Sequence, residues 1–433
     1  MTRSQKDTPI GPIADDWQLA ALRDISARPQ YGYATSASES GTHRFLRITD
    51  IKDYSVDWST VPMCECTPHD AAKYQLIEND IVFARIGATT GKSHIIKTAP
   101  AQSVFASYLI RVRPTGIDPD FLYFFFQSSA YWRQVSANMH NNLKKGMNAT
   151  VLQSLQVPLP PRTEQCQISD LLSNVVDGLR QLARLERLAV ELKESLAQVL
   201  FSRGTRGGIP AVETPVGLVP SNWAVKSLGR AVPDIDYGLS RAIPKSPPRD
   251  GVKIVTTAEI TRDGVLRYDK IRRITAPARA IDRLMLRNGD VLFNWRNSLS
   301  LIGKTAVYEE QPDAHIFASF VLRLRCDEKE THNHYLKHLF NHMRERAVFV
   351  RLARRAVNQA NFNRNEIAAL PVPLPSYSEQ REIAAQLDMV EQRRTHLTRR
   401  REVMVELFRA LVDDLMSGRM RVKGRVGATE HCS

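Results

Sequence analysis

The stretch Ile86-Gly87-Ala88-Thr89-Thr90-Gly91-Lys92-Ser93 carries the glycines, lysine and hydroxyl of a phosphate-cradling loop, and Gly303-Lys304-Thr305 echoes its end. Such a loop needs four residues between its glycines and must open a helix, whose first N–H groups hold the anion. Here three residues separate Gly87 from Gly91, and the second copy lacks the first glycine. Ser93-His94-Ile95-Ile96 and Thr305-Ala306-Val307-Tyr308 read as strands. A hairpin turn that carries a lysine accounts for both copies.

Metal chemistry has three candidates. Pro312-Asp313 followed by Asp327-Glu328-Lys329 fits a loose nuclease pattern, with carboxylates on a metal and lysine beside the attacking hydroxide. Residues of these types meet that spacing by chance, and a solvated turn explains them. His334, His338 and His342 would share one helical face, and Cys64-x-Cys66-x-x-His69 offers three more ligands. The imidazoles lack the carboxylates that orient a catalytic set, and the cysteine cluster lacks a fourth ligand. With no Gly-x-Ser-x-Gly, no Gly-x-Gly-x-x-Gly and no Asn-Pro-Pro-aromatic tetrapeptide, no residue is assigned to catalysis, a cofactor or a metal.

The elements that carry these residues occur twice. Val157-Pro158-Leu159-Pro160 returns as Val372-Pro373-Leu374-Pro375, and Glu164-Gln165 as Glu379-Gln380. Phe105-Ala106-Ser107 returns as Phe317-Ala318-Ser319, and Trp17 as Trp223. The nuclease-like pattern has no counterpart in the first copy. Within each repeat Ile81–Ala84 and Val291–Asn294 are strand candidates after Asn-Asp and Gly-Asp turn signals. Phe105–Arg113 and Phe317–Arg325 alternate apolar and polar residues, with arginines matched at 111/323 and 113/325. Helices are expected over 120–139 and 334–355. After the prolines a long helix begins near Thr163 and again near Ser378. Apolar residues recur every seven positions, at 168, 175, 182, 189 and 196 and at 383, 390, 397, 404 and 411, with a second column at 171, 185, 192 and 199 broken by Gly178. That seam predicts two rods of about 38 residues, ~57 Å long, that pair with each other as an antiparallel coiled coil.

Length and charge agree with this plan. A chain of 433 residues exceeds one ordinary domain, and 43% hydrophobic with 24% charged residues excludes a disordered chain. The apolar run Phe121–Phe126 stops at Gln127, too short to span a membrane, and the start lacks a secretory apolar segment. Five scattered cysteines argue against a disulfide framework, so a cytoplasmic location is expected. The net charge of +14 fits a polyanion partner. It is not spread evenly: residues 1–162 carry 17 basic and 14 acidic side chains and 221–377 carry 26 and 16, against 4 and 6 in 163–202 and 7 and 8 in 378–417.

Taken with their strand and turn motifs, the segments Asn148–Ile168 and Asn363–Ile383 resemble the specificity subunit of type I restriction-modification systems. The residues that carry the resemblance are Leu-x-Val-Pro-Leu-Pro, then Glu-Gln and a heptad helix, twice over. The Asn-Asp-Ile-Val-Phe-Ala-Arg and Gly-Asp-Val-Leu-Phe-Asn-Trp-Arg strands with their Gly-Lys turns are similar too. The turn before the motif departs from the family's Gly-Ser/Thr pattern, reading Lys144-Lys145-Gly146-Met147-Asn148 and Asn358-Gln359-Ala360-Asn361-Phe362-Asn363. The resemblance implies an α/β protein with two tandem target recognition domains, 1–162 and 221–377. Each is followed by a spacer helix, 163–202 and 378–417, with a linker at 203–220 and a basic tail at 418–433. It implies a subunit that is not itself an enzyme and reads a bipartite site in double-stranded DNA, with partner methylation and restriction subunits. S-adenosylmethionine, ATP and Mg²⁺ would belong to those partners, with no cofactor in this chain.

The residues expected to meet DNA are basic or amide groups at matched places. They are Arg85 with Arg296, Lys92 with Lys304, Lys144 and Lys145 with Arg354 and Arg355, and Asn148 with Asn363. Arginine can grip guanine and asparagine adenine through two hydrogen bonds each, whereas lysine more often meets phosphate. A place shared by domains that read unlike sequences suits backbone contact or scaffold, so base readers are expected where the repeats differ. A DNA-binding coiled-coil scaffold, and a nuclease or methyltransferase with its own active site, are the alternative classes.

Overall fold

A computed structural model describes residues 4–141, 146–242, 246, 248–356 and 359–422. The chain forms two compact units, 1–186 with 396–433 and 187–395. No described helix is long and apolar enough to cross a membrane.

In the first unit, strands β1 (Gln18–Ala21), β2 (Gln30–Tyr31), β3 (His43–Leu46), β4 (Ile81–Ala84), β5 (Ser93–Ile95), β6 (Ser103–Phe105) and β7 (Leu109–Val112) precede helices α1 (Pro119–Phe125) and α2 (Ser129–Asn141). Helix α3 (Ala149–Ser154) and strand β8 (Gln156–Leu159) lead into the long helix α4 (Arg162–Arg203). The main sheet runs β5-β4-β7-β2, β3 and β6 pair in parallel, and β8 pairs with β1. All four side chains of β4 are buried, which is why the strand reads as a continuous apolar run and not as an alternation.

The second unit repeats the plan. Its strands are β9 (Ala224–Ser227), β10 (Asp234–Tyr237), β11 (Val252–Val255), β12 (Val291–Asn294), β13 (Arg296–Asn297), β14 (Thr305–Val307), β15 (His315–Phe317) and β16 (Val321–Arg325). Helix α5 (Asn333–Glu345), strands β17 (Arg354–Ala356) and β18 (Gln359–Asn361), helix α6 (Arg364–Ala368) and strand β19 (Pro371–Leu374) precede the long helix α7 (Tyr377–Met416). The main sheet, β14-β12-β16-β10, has the order of the first, and β11 and β15 pair in parallel as β3 and β6 do. The expected single helices over 120–139 and 334–355 are each broken, at 126–128 and at 346–347, where Ala347 adopts φ 55°.

The matched motifs are joints of this scaffold. Arg113 donates to the buried Asp80 carboxylate at 2.8 and 3.1 Å, and Arg325 to the buried Asp290 at 2.8 and 2.8 Å. The arginine columns thus tie the last sheet strand to the turn before the central one. The buried Gln165 accepts from the Asp118 N–H at 2.8 Å and donates to the Pro160 carbonyl at 2.9 Å. Gln380 does the same with the His332 N–H, 2.8 Å, and the Pro375 carbonyl, 3.1 Å. One amide therefore fixes the start of the long helix, the proline turn and the cap of an earlier helix, α1 or α5, and it equates Asp118 with His332.

The two heptad columns of α4 differ in burial. In the first unit α4 buries Ile168, Leu172, Val176 and Leu179, in steps of four, four and three, and further on Leu182 and Ala183. Ile168, Leu172, Val176 and Leu179 join the core of their own domain, with Phe121 and Phe124, together with Phe408, Val412 and Leu415 of α7. The second column, Leu171, Leu185, Leu192 and Val199, is exposed. The first column, 168, 175, 182, 189 and 196, stays buried or half-buried along the helix. The two long helices do meet in antiparallel sense within each unit. Glu186 pairs with Arg401 at 3.1 Å, and a Cβ at Gly178 would lie 3.3 Å from Met404 Sδ, in the first. Lys193 pairs with Glu391 at 2.5 Å, and the Thr205 N–H donates to Glu379 at 3.0 Å, in the second.

Candidate nucleic-acid interface

Each main sheet ends in the same frame. In the first unit the hairpin after β4 turns through Gly87 and Gly91, both at positive φ, and returns at Lys92, whose carbonyl accepts from Ala84. The Arg85 N–H donates to the Tyr108 carbonyl at 3.0 Å, and its own carbonyl accepts from Met147 at 2.9 Å. Its guanidinium donates to the Ser107 carbonyl at 3.3 Å and lies 4.8 Å from the centre of the Tyr31 ring. The Tyr31 hydroxyl accepts from the Ala149 N–H at 3.1 Å.

In the second unit the Lys304 carbonyl accepts from Asn294, as Lys92 does from Ala84. Trp295, not Arg296, then takes the place of Arg85. Its indole N–H donates to the Ser319 carbonyl at 2.7 Å, its carbonyl accepts from Phe362 at 3.3 Å, and its ring meets Tyr237 at 5.3 Å. Tyr237 is the counterpart of Tyr31, because Tyr31 pairs with Ile110 and Tyr237 with Leu322 at matched sheet positions. Arg296 is one residue further on, beside Ile86 in the equivalence, and its guanidinium stacks on Phe320 with 5.1 Å to the ring centre.

The expected contact residues separate on this frame. Lys92 is exposed at the hairpin turn. Lys304 is buried, and its ammonium donates to the carbonyls of Thr257, 2.6 Å, and Ile260, 2.5 Å. Burial pulls it below the ordinary lysine range. It is a scaffold residue, a correction to its pairing with Lys92: turn and lysine recur, but only one copy is covered by its domain. Asn148 and Asn363 are exposed, and both cap helices, accepting from Val151 at 2.8 Å and from Glu366 at 2.9 Å. That use takes the amide oxygen, one half of the donor–acceptor pair that reads adenine. Lys144 and Lys145 lie outside the described residues, and of Arg354 and Arg355 the structure describes the backbone in β17.

The metal candidates come apart. Cys64 and Cys66 are buried with Phe45 and Val104, while His69 is exposed. His342 turns away from its neighbours to meet Phe201, ring centres 5.1 Å apart, and burial pulls it down to about 4. His334 and His338 instead converge on Asp388 at 2.8 and 2.7 Å. His338, Asp388 and Glu391 have the spacing of a cation site. Lys337 holds the position of the cation there, 2.9 Å from Asp388 and 3.2 Å from Glu391, with Lys193 on the far side of Glu391. Burial alone would raise the Asp388 carboxyl, but the two imidazoles and Lys337 hold it well below the usual carboxylate range. Asp313 pairs with Lys253 at 2.8 Å and with Arg273 at 3.1 Å.

Sequence comparison decides what such a doubled frame belongs to. The pattern of the type I restriction modification DNA specificity domain matches residues 15–190 and 251–407. The chain belongs to that family. The specificity subunit is 22% identical over 432 residues to a protein named as the specificity subunit of the type I restriction enzyme MjaX of Methanocaldococcus jannaschii, covering 96% of this chain and 97% of that one. It is 24% identical over 288 residues to the EcoBI specificity subunit of Escherichia coli, with 62% and 58% covered. Its fold is that of the S subunit from M. genitalium, with a TM-score of 0.59 at 12% identity over 98% of this chain and 100% of that one. A chain from a solved type I R-M system assembly gives 0.51 at 17% identity over 94% and 99%.

Proposed function

We propose that the specificity subunit reads a bipartite site in double-stranded DNA, one half at the strand-end frame of each unit, and performs no chemistry of its own. The observation that carries this reading is the frame itself. Tyr31, Ser107 and Asn148 return as Tyr237, Ser319 and Asn363 around unlike residues, as two readers of unlike half-sites require. The basic excess of the two globular blocks supports phosphate contact there.

The antiparallel contacts of the long helices support a coiled-coil spacer that sets the unread gap between half-sites. The solvent-facing leucines of α4 support docking of methylation subunits, since an exposed apolar stripe on a long helix suits a partner's apolar face. Restriction subunits join that assembly, and S-adenosylmethionine, ATP and Mg²⁺ act in the partners.

Selection of bound duplexes from a randomised pool tests the reading. Two short preferred sequences at one fixed separation are expected, and a single contiguous preference, or none, rejects it. Turnover of DNA by the rigorously purified chain, with Mg²⁺ or S-adenosylmethionine, would also reject it.

A further inference from the structure

We propose that the small sheet β13-β18-β17 of the second unit is the base-reading surface of that unit, with Arg296 and Asn361 its readers. The inference rests on the specificity-subunit reading and assigns residues to it.

The register sets out the row. Arg296 pairs directly with Asn361, and Arg354 pairs with Asn361 from the other side. Residues paired across antiparallel strands share a face with Cβ atoms ~5 Å apart. The alternation of β18 gives the direction: Ala360 and Phe362 are buried at 0% and 1% exposure, so Asn361 between them lies on the opposite face. By register Arg296 and Asn361 therefore lie side by side on the outer face of this sheet. A β-ribbon fits the major groove, where arginine matches the O6/N7 edge of guanine and asparagine the N6/N7 edge of adenine.

Arg323 and Arg325 are ion-paired to Asp234 and Asp290. Arg296 is exposed and stacked on Phe320, itself 46% exposed. Stacking engages the face of a guanidinium plane and holds it in one orientation, whereas base reading uses its N–H edge.

Comparison of the repeats singles out the same two positions. The backbone frame equates Arg296 with Ile86 and Asn361 with Gly146. Residues common to both frames cannot discriminate between unlike half-sites, and these are two places where the frame is shared and the side chains are not. The basic excess of 221–377, 26 against 16, supplies charge complementarity to DNA on this unit.

The test uses the full chain in the assembly isolated from its own cells, equilibrated with duplexes randomised over both half-sites, with the bound fraction sequenced. Arg296→Ala and Asn361→Ala are each expected to relax one base pair of the same half-site, discrimination there falling roughly 5- to 150-fold, and to leave the other half-site unchanged. Asn361→Asp keeps the side-chain shape but offers acceptors alone, and is expected to move the preference at its base pair from adenine to cytosine. Uniform loss of affinity with preferences intact, unchanged preferences at full affinity, or relaxation in the other half-site overturns the proposal. A wild-type assembly that selects no sequence overturns instead the reading on which it rests.

Discussion

Arg85 and Trp295 occupy one and the same cradle in the two repeats, each donating to the carbonyl of the matched serine and each lying against the matched tyrosine. A site that already holds a guanidinium in one copy and an indole in the other tolerates exchange. Arg85→Trp is expected to unfold within about 1.5 kcal/mol of wild type by calorimetry. A larger loss would show that the two cradles differ in shape and not only in occupant.

The two hairpin lysines should behave differently. Lys92→Ala is expected to weaken DNA binding by a similar factor for every sequence and to lower the slope of log K against log salt by about 1. Lys304→Ala leaves the Thr257 and Ile260 carbonyls without their donor and is expected to lower stability by about 1–3 kcal/mol. Titrations at several salt concentrations, with thermal unfolding beside them, separate the two outcomes.

Two glycines of the hairpin turns, not counterparts of each other, are unequal too. Gly303 and Gly87 both hold φ above 80°, but a Cβ at Gly303 would run into the Phe349 ring and one at Gly87 meets nothing. Gly87→Ala should cost about 1–2 kcal/mol from backbone strain alone. Gly303→Ala should cost roughly 2–5 kcal/mol, strain and overpacking together. Equal losses in denaturant melts would contradict this packing.

Acid should weaken the second unit through its imidazoles. An unfolded histidine protonates near 6.5, whereas burial keeps His338 and His342 neutral down to about 4. Proton uptake between those values favours the unfolded chain, so their contribution is complete above pH 6.5 and declines as the pH falls toward 4. The loss is on the order of 3 kcal/mol per imidazole over that window. His94 puts the same dependence on the first unit, through one imidazole. Calorimetry at pH 7 and pH 5 measures the difference, and His338→Gln should flatten it.

Leu192, 56% exposed on α4, is expected to matter for assembly and not for folding. Leu192→Glu should change stability by less than about 0.5 kcal/mol and reduce co-purification of methylation subunits. Unchanged co-purification would move the docking surface elsewhere.

Much of the fold was legible because its signals are local. The Ile81–Ala84 and Val291–Asn294 strands, both long helices and the repeat follow from turn residues, prolines and apolar spacing. The exposure of the second column of α4 was not, since a column of leucines repeats every seven residues whether it meets a partner helix or solvent. The site was half legible. Asn148 and Asn363 stood out by equivalence, yet equivalence selects caps and joints such as Gln165 and Gln380. Asn361 and Phe320 gave no signal of their own, because a cross-strand register and a stacked ring are set by folding.

The amide clamps also equate Tyr123 and Phe124 of the first unit with Lys337 and His338 of the second, and Val176 with Glu391. The same shell is thus filled with rings and aliphatics in one copy and with a closed set of ions in the other. Gene shuffling that joined the first head to the second rod would seat Asp388 and Glu391 against aromatic rings, without the Lys337 ammonium that bridges them. Viable hybrids must therefore carry each head together with the stretch of rod that lies under it, which places the recombination seam inside the helices and not at their ends.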